Sequence, residues 1–535
     1  MKRTMRERLA DRRRLGCALA LGLCYALFAA LGGEMRSGGF HSPWWRVAGL
    51  FVLYTVGFGA LSWLALGFWK RQGKQQTGKE TWLSRASGNG LVVFLLLAAC
   101  WIPAWLAFWP GLLNPDSLSQ FESFYNEDPS AHHPLLHTAL LGFCMTLGID
   151  WHPEGYATYG VALYCGVQLA LLAACVAYGC WWLRRRGAPL WARLVVTLAF
   201  ALAPVYAPWA ASTHKDVLFG AAVLVFCLQL TDLWRFGLKP LRCAAFAASA
   251  LWMMALRNNG VYALALLLPF AIGWARKGRR VQTAALLAAC ALVYVAGNQA
   301  VIAALDAQPS EKVEILSIHL QQIARTLRDH PEAEELDGDG LLEALYGEAN
   351  PADVYHAQIA DPVKWATDYD ALEENLPGLL ALWCRMGLRY PQSYIEAFLV
   401  QNLPYYLPGS PMLYNFDLNG QEPEWFPIEE HSYLPELRGT YEAYDQTLCF
   451  AGVPGTRLLS HPATLVWLCL FGFVCAVYLR RRGLMAAFLF LMAIWITCLL
   501  GPVAILRYVL GLFDAVPVLL CALLAPEPRA ELDRP

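Results

Sequence analysis

The chain has 535 residues, of which 57% are hydrophobic and 16% charged, whereas water-soluble domains carry about 25% charged residues. With a mean hydropathy of +0.38 and 13% aromatic residues, this composition argues against an ordinary soluble protein and for one that faces lipid over much of its surface. A net charge of -1 supplies no global field for nucleic acid.

The basic start, Lys2 and Arg3 through Arg12-Arg13-Arg14, precedes an apolar run from Leu15 to Leu31. It reads as a retained signal anchor, because the run is long, a second apolar segment follows at once, and no clear cleavage site appears. A helix needs about 20 apolar residues to cross a bilayer. By that measure the expected spans are 15–33, 46–69, 89–109, 157–183, 190–210, 216–234, 241–256, 261–275, 281–304, 462–479, 484–502 and 506–525. The basic stretches are the N-terminus, Lys70-Arg71 with Lys74 and Lys79, Arg184-Arg185-Arg186, Arg235 to Arg242, Arg276 to Arg280, and Arg480-Arg481-Arg482. With twelve spans all of them fall on one side, which the positive-inside rule makes cytoplasmic, together with both termini.

The expected fold is therefore an all-α polytopic membrane protein in four parts. Residues 1–88 hold two spans and a basic cytoplasmic loop, and 89–304 a transmembrane core whose first outer loop is 110–156. Residues 305–461 form an extracytoplasmic, mainly helical domain, and 462–535 three last spans with a short tail. Within the outer domain, Val313, Leu316, Leu320, Ile323 and Leu327 repeat at helical spacing, so 311–329 reads as an amphipathic helix, and 378–400 as another. Residues 402–435, rich in Pro, Tyr and Gly, read as irregular structure. Segment 134–149 is apolar but too short to span, and is expected to be interfacial or re-entrant. Most of the 16 cysteines lie in apolar runs and no CxxC occurs, which leaves no zinc or redox signature. Cys384 and Cys449 are the two that an oxidising compartment could pair. Asp337-Gly338-Asp339-Gly340 with Glu348 matches a calcium loop too poorly to read as more than a turn.

Five polar motifs stand at the outer ends of these spans. In Asn114-Pro115-Asp116-Ser117-Leu118-Ser119-Gln120, Asp116 either caps a helix starting at Ser117 or presents a carboxylate as general base. In Ala131-His132-His133-Pro134, with His137 one turn on, the histidines bind a phosphate, join Asp116 at a metal, or simply bond backbone at the interface. In Thr213-His214-Lys215-Asp216, Lys215 suits a phosphate, or pairs with Asp216 at a helix start. Arg257-Asn258-Asn259-Gly260 reads as a tight turn in which Arg257 also offers a fork of donors and the asparagines contacts to sugar hydroxyls. Arg507-Tyr508, after Gly501-Pro502, puts a charge in an apolar run, which is costly and by default functional, unless it snorkels to the interface.

This succession of Asp116, His132-His133-Pro134, Lys215-Asp216, Arg257-Asn258-Asn259 and Arg507-Tyr508 around a large late outer region resembles a group of bacterial multi-span proteins similar to the GT-C superfamily of membrane glycosyltransferases. The resemblance covers roughly residues 90–525, with the first two spans as an addition. It implies a GT-C-like fold in the bacterial cytoplasmic membrane and a polyprenyl-phosphate-linked sugar as donor. The acceptor is an unidentified glycan, lipid or protein on the outer face. Asp116 takes the place of the essential acidic residue of the first outer loop. Gln120, His132, His133, Lys215, Asp216, Arg257, Asn258, Asn259, Arg507 and Tyr508 become substrate-binding candidates. Many members carry an acidic pair where this chain has Asp116-Ser117, so no divalent metal or other cofactor is expected. The aromatic pairs Tyr405-Tyr406 and Trp425-Phe426 are candidates for stacking on sugars or for anchoring at the interface. The competing readings are a transporter or lipid flippase of the same span count, and a non-catalytic assembly protein of the envelope.

Overall fold

The computed structural model describes residues 5–72, 81–152, 154, 156–274, 277–309, 312–338, 340–416, 418 and 426–526. Lys74, Lys79, Arg276, Asp339 and Trp425 lie outside them. Among the described residues the regular structure is helical, and strand pairing is limited to isolated bridges such as Leu112 with Ser212.

Helices α1 (Met5–Met35) and α2 (Trp44–Gln72) form a hairpin. Along α2, Val52, Leu53, Val56, Leu61 and Leu64 are exposed, an apolar surface that water would penalise and lipid would not. α3 (Gly90–Ala107) is started by Asn89, whose side chain accepts from the Leu91 and Val92 amides. α4 (Pro115–Tyr125), α5 (Leu135–Trp151) and α6 (Thr158–Arg185) follow. α5 packs on α6 where two glycines meet: a Cβ on Gly148 would lie 1.9 Å from the Gly160 nitrogen, so only glycine permits this approach.

α7 (Leu190–Leu202), α8 (Lys215–Phe236), α9 (Pro240–Leu256), α10 (Asn259–Trp274) and α11 (Arg280–Leu305) continue the bundle. α8 runs through its centre against α6, α9, α16 (Arg482–Cys498) and α17 (Leu510–Ala522), burying Phe219, Leu224, Phe226, Leu228 and Leu230. α15 (Pro462–Leu479) precedes that last pair. Seven helices among the described residues, namely α1, α2, α3, α6, α8, α11 and α15, are long and apolar enough to cross a membrane. The chain is thus an all-α membrane protein. The other expected spans fall on shorter apolar helices.

Four expected elements are divided. The stretch 190–210 is α7 followed by a separate turn of helix, Tyr206–Ala210. Pro204 disfavours helical backbone at the residue before it and cannot donate a helical hydrogen bond. Residues 506–525 begin as a 3-10 turn, Leu506–Val509, before α17. Within 305–461, the stretch 378–400 is α13 (Leu376–Arg389) and α14 (Pro391–Gln401), broken at Pro391. The amphipathic helix expected over 311–329 is a 3-10 turn, Lys312–Leu316, leading into α12 (Ser317–Asp329). Its Leu320, Ile323 and Leu327 join Leu342, Leu345, Leu379, Leu382 and Met386 in an apolar core separate from that of the bundle. Cys384 and Cys449 are free thiols.

Candidate functional site

The site is built from two chain crossings. Leu112 donates to the Ala211 carbonyl at 2.9 Å and Thr213 donates back to the Leu112 carbonyl at 3.0 Å, so the lead-in to α4 is strapped to the lead-in to α8. Side chains lock the strap: Asn114 donates to Thr213 Oγ1 at 3.0 Å and Ser117 Oγ to the Thr213 carbonyl at 2.7 Å. Asn114 also accepts from the Ser117 amide at 3.1 Å and is the cap of α4, with Pro115 in the first turn. The cap role weighed for Asp116 therefore falls to Asn114, because proline fits the first helical position, where no amide hydrogen is needed. Asp116, freed from capping, projects from the first turn.

Two cations meet its carboxylate. Lys215 Nζ lies 2.8 Å and Arg507 Nη1 3.0 Å from Asp116 Oδ2. The three side chains are 28%, 11% and 18% exposed for Asp116, Lys215 and Arg507, so the cluster opens to the surface without being bathed by it. Lys215 also donates to His133 Nδ1 at 3.0 Å, and Arg507 Nη1 to His214 Nδ1 at 3.2 Å. An ammonium and a guanidinium can only donate, so both imidazoles carry their hydrogen on Nε2. Burial disfavours the charged imidazole, and Lys215 adds to this at His133, which is pushed down to about 3. Burial and Arg507 hold His214 well below its ordinary value. Burial alone would raise the Asp116 carboxyl, but Lys215, Arg507 and His133 outweigh it and keep it well below the usual carboxylate range.

Behind this face stands a second ion pair. Asp216, fully buried in the first turn of α8, pairs with Arg257, and its Oδ2 lies 3.9 Å from Arg507 Nε. The Tyr508 ring lies beneath both guanidiniums, 4.3 Å from Arg257 and 5.4 Å from Arg507. Three cations (Lys215, Arg257, Arg507) thus face two carboxylates (Asp116, Asp216), a local excess of one positive charge that suits an anion.

Not every expected residue joins. Gln120 contributes through the backbone: its amide donates to the Asp116 carbonyl at 3.0 Å, which turns its oxygen toward His137 Nδ1 at 2.7 Å. His132 is exposed, its ring edge-on to His133 at 4.6 Å. Asn258 is exposed and accepts from the Tyr294 hydroxyl at 2.8 Å. Asn259 already opens α10, so the turn is confined to Arg257 and Asn258 and Gly260 lies inside the helix. Lys215 stands where a metal shared by His133 and Asp116 would sit. Among the described residues no group of three His, Cys, Asp or Glu is placed to hold a metal ion.

Sequence reasoning assigned no role to His214, and placed His137 beside His132 and His133 rather than in the chain that backs α4: His137 Nε2 meets the Tyr164 hydroxyl at 2.5 Å, and Tyr164 donates to Gln168 at 3.1 Å. Gln168 in turn donates to the Trp209 carbonyl at 3.0 Å, beside the strap. The available signal was a polar pair at i, i+4 spacing inside an otherwise apolar span, which lipid would not tolerate. No curated protein and no solved structure matches the chain. A family model does match residues 129–534, a stretch that takes in His133, Lys215, Asp216, Arg257 and Arg507 and begins after Asp116, and the chain belongs to that family, DUF6020, a family of unknown function.

Proposed function

We propose that the protein is a membrane glycosyltransferase that takes a sugar from a polyprenyl-phosphate carrier on the outer face of the bacterial cytoplasmic membrane. In this reading twelve helical segments traverse the bilayer, both termini are cytoplasmic, and the acceptor is an envelope glycan, lipid or protein. The observation that carries it is the convergence of Asp116 with Lys215 and Arg507, with Arg257 one shell behind. A phosphate at headgroup depth needs cations to stabilise it as it departs, and an acceptor hydroxyl needs a carboxylate to take its proton.

The step balances as a single displacement. The acceptor oxygen attacks the anomeric carbon, the bond from that carbon to the phosphate oxygen breaks with its electrons going to the lipid phosphate, and the acceptor proton passes to Asp116. Attack opposite the leaving phosphate inverts the anomeric centre. Purified protein in lipid nanodiscs, given radiolabelled polyprenyl-phosphate sugars and an envelope extract as acceptor, is expected to transfer label, and Asp116→Asn to lower the rate about 10²–10⁴-fold. Wild-type rates in that variant would sink the role given to Asp116.

A second reading, movement of a charged lipid across the membrane, draws on Asp514, a carboxylate buried in α17 against Gly220 of α8. Intramembrane acids often mark a transport path. The same assay separates the two, since transport relocates the labelled lipid and leaves the sugar on its carrier.

A further inference from the structure

Asp116 is not ready to accept a proton in the arrangement described. Lys215 and Arg507 both donate to its Oδ2, and Arg507 Nη2 approaches Oδ1 at 3.5 Å. A carboxylate so neutralised is a poor base. The cations that would grip a phosphate are the same two, so in this state neither base nor anion site is free.

The second carboxylate offers a way out. Asp216 Oδ2 is buried and has no hydrogen-bond partner, although its Oδ1 is held by Arg257. A buried carboxylate oxygen without a donor is costly. A donor stands just short of filling it: Arg507 Nε, at 3.9 Å. Arg507 therefore stands between two carboxylates, bonded to the exposed one and short of the buried one by about an ångström, given a usual charge-assisted length of about 2.8 Å. Close approach of the segments that carry the two groups is built in: a Cβ on Gly220, one turn below Asp216, would meet the Leu510 and Gly511 backbone at 3.2–3.3 Å.

We propose that an arriving phosphate group exchanges the ion pairs: Lys215 and one edge of Arg507 turn to the phosphate, the Nε edge of Arg507 closes on Asp216 Oδ2, and Asp116 is released as the base. Asp216 is in this scheme a positioning residue, and Asp116 competes with the ligand's phosphate for the same two cations. The site so ties unmasking of its base to occupancy by a phosphate. The inference rests on the phosphate-binding reading above.

The competition has a sign that a mere ligand contact or a structural role for Asp116 would not give. Full-length protein in nanodiscs is titrated with farnesyl phosphate and, separately, with inorganic phosphate, by calorimetry. Asp116→Asn removes the competing charge and is expected to bind farnesyl phosphate about tenfold more tightly than wild type, while losing turnover. Asp116→Ser, which removes the same charge, is expected to give the same order and serves if the first variant fails to fold. Equal or weaker binding in both variants, with wild type still binding, overturns the exchange and leaves the phosphate site standing. No binding by any of the three proteins overturns both. Tightening for farnesyl phosphate alone assigns the site to lipid-borne phosphate. Equal tightening for both probes supports the exchange and shows that the phosphate group alone triggers it.

Discussion

His133 and His214 show how single residues tune this cluster. Each gives its Nδ1 to a cation, and each is kept neutral by burial reinforced by that cation. An unfolded imidazole titrates near pH 6.5. Below that pH the unfolded chain takes up protons that the folded chain refuses, so stability is whole above about pH 6.5 and is lost as pH falls toward the His133 value of about 3. Asp116 acts in the same direction lower down, since its carboxylate is favoured in the fold and its contribution is lost as pH drops through its depressed value. The melting temperature in detergent is expected to fall between pH 7 and pH 4.5. His133→Asn, which keeps an acceptor for Lys215 but cannot titrate, is expected to flatten part of that fall, and an unchanged slope in the variant would contradict the assignment. The residues themselves were legible as polar groups at the ends of apolar runs. Their pairing was not: Asp116 lies 99 residues from Lys215 and 391 from Arg507, and spacing carries no information at such separations. Asn114 was missed as the cap because Pro115 was read as preceding the helix, when proline is at home in its first turn.

Elements were legible where hydrophobic length decides and illegible where a partner decides. The long runs behind α1, α2, α3, α6, α8, α11 and α15 give helices close to the expected limits. Segment 134–149 is expected to be interfacial or re-entrant because it is short; it is helix α5, packed on α6, and what permits this packing is the glycine contact, which depends on a residue in another helix. A Cβ on Gly160 would sit 2.6 Å from the Met145 Cα, with backbone on both sides and no flexible side chain to yield. Small residues let membrane helices approach closely. Gly160→Leu is expected to destabilise by about 3 kcal/mol, the upper end of overpacking costs, and to pull His137 away from Tyr164, loosening the backing of α4. Chemical unfolding of the purified variant measures the first effect. If Gly160→Leu matches wild type, α5 and α6 do not pack as described.

At the scale of the whole molecule, the helical region within 305–461 does more than enclose its own apolar core. It is clipped to the first hairpin, where Arg325 donates to the Gly38 carbonyl at 2.8 Å and Glu396 accepts from the Phe40 amide at 2.8 Å. It also grips the loop that leads to Arg507. Gln401 donates to the Gly501 carbonyl at 2.8 Å, Asn402 to the Leu499 carbonyl at 3.0 Å, the Ala360 amide to the Pro502 carbonyl at 2.8 Å, and the Tyr405 hydroxyl to the Ile505 carbonyl at 3.0 Å. Asn402 and Tyr405 fall in the stretch 402–435, whose composition announces only irregular structure, and no sequence signal marks the other contacts, which join residues far apart in the chain. A loop held at four carbonyls has little freedom, and Arg507, two residues past the last of them, inherits that restraint. Each such hydrogen bond contributes about 1 kcal/mol, so removing two of the four weakens the grip without touching the charged cluster. In the double variant Gln401→Ala/Asn402→Ala, amide exchange across 499–505 is expected to quicken and the affinity for farnesyl phosphate to fall several-fold, while Lys215 and Asp116 remain as they are. Faster exchange with unchanged affinity would show that Arg507 is placed by its own ion pairs alone. Faster exchange together with weaker binding would mean that the 305–461 region, by holding the loop 499–505, sets the position of the cation on which the site turns.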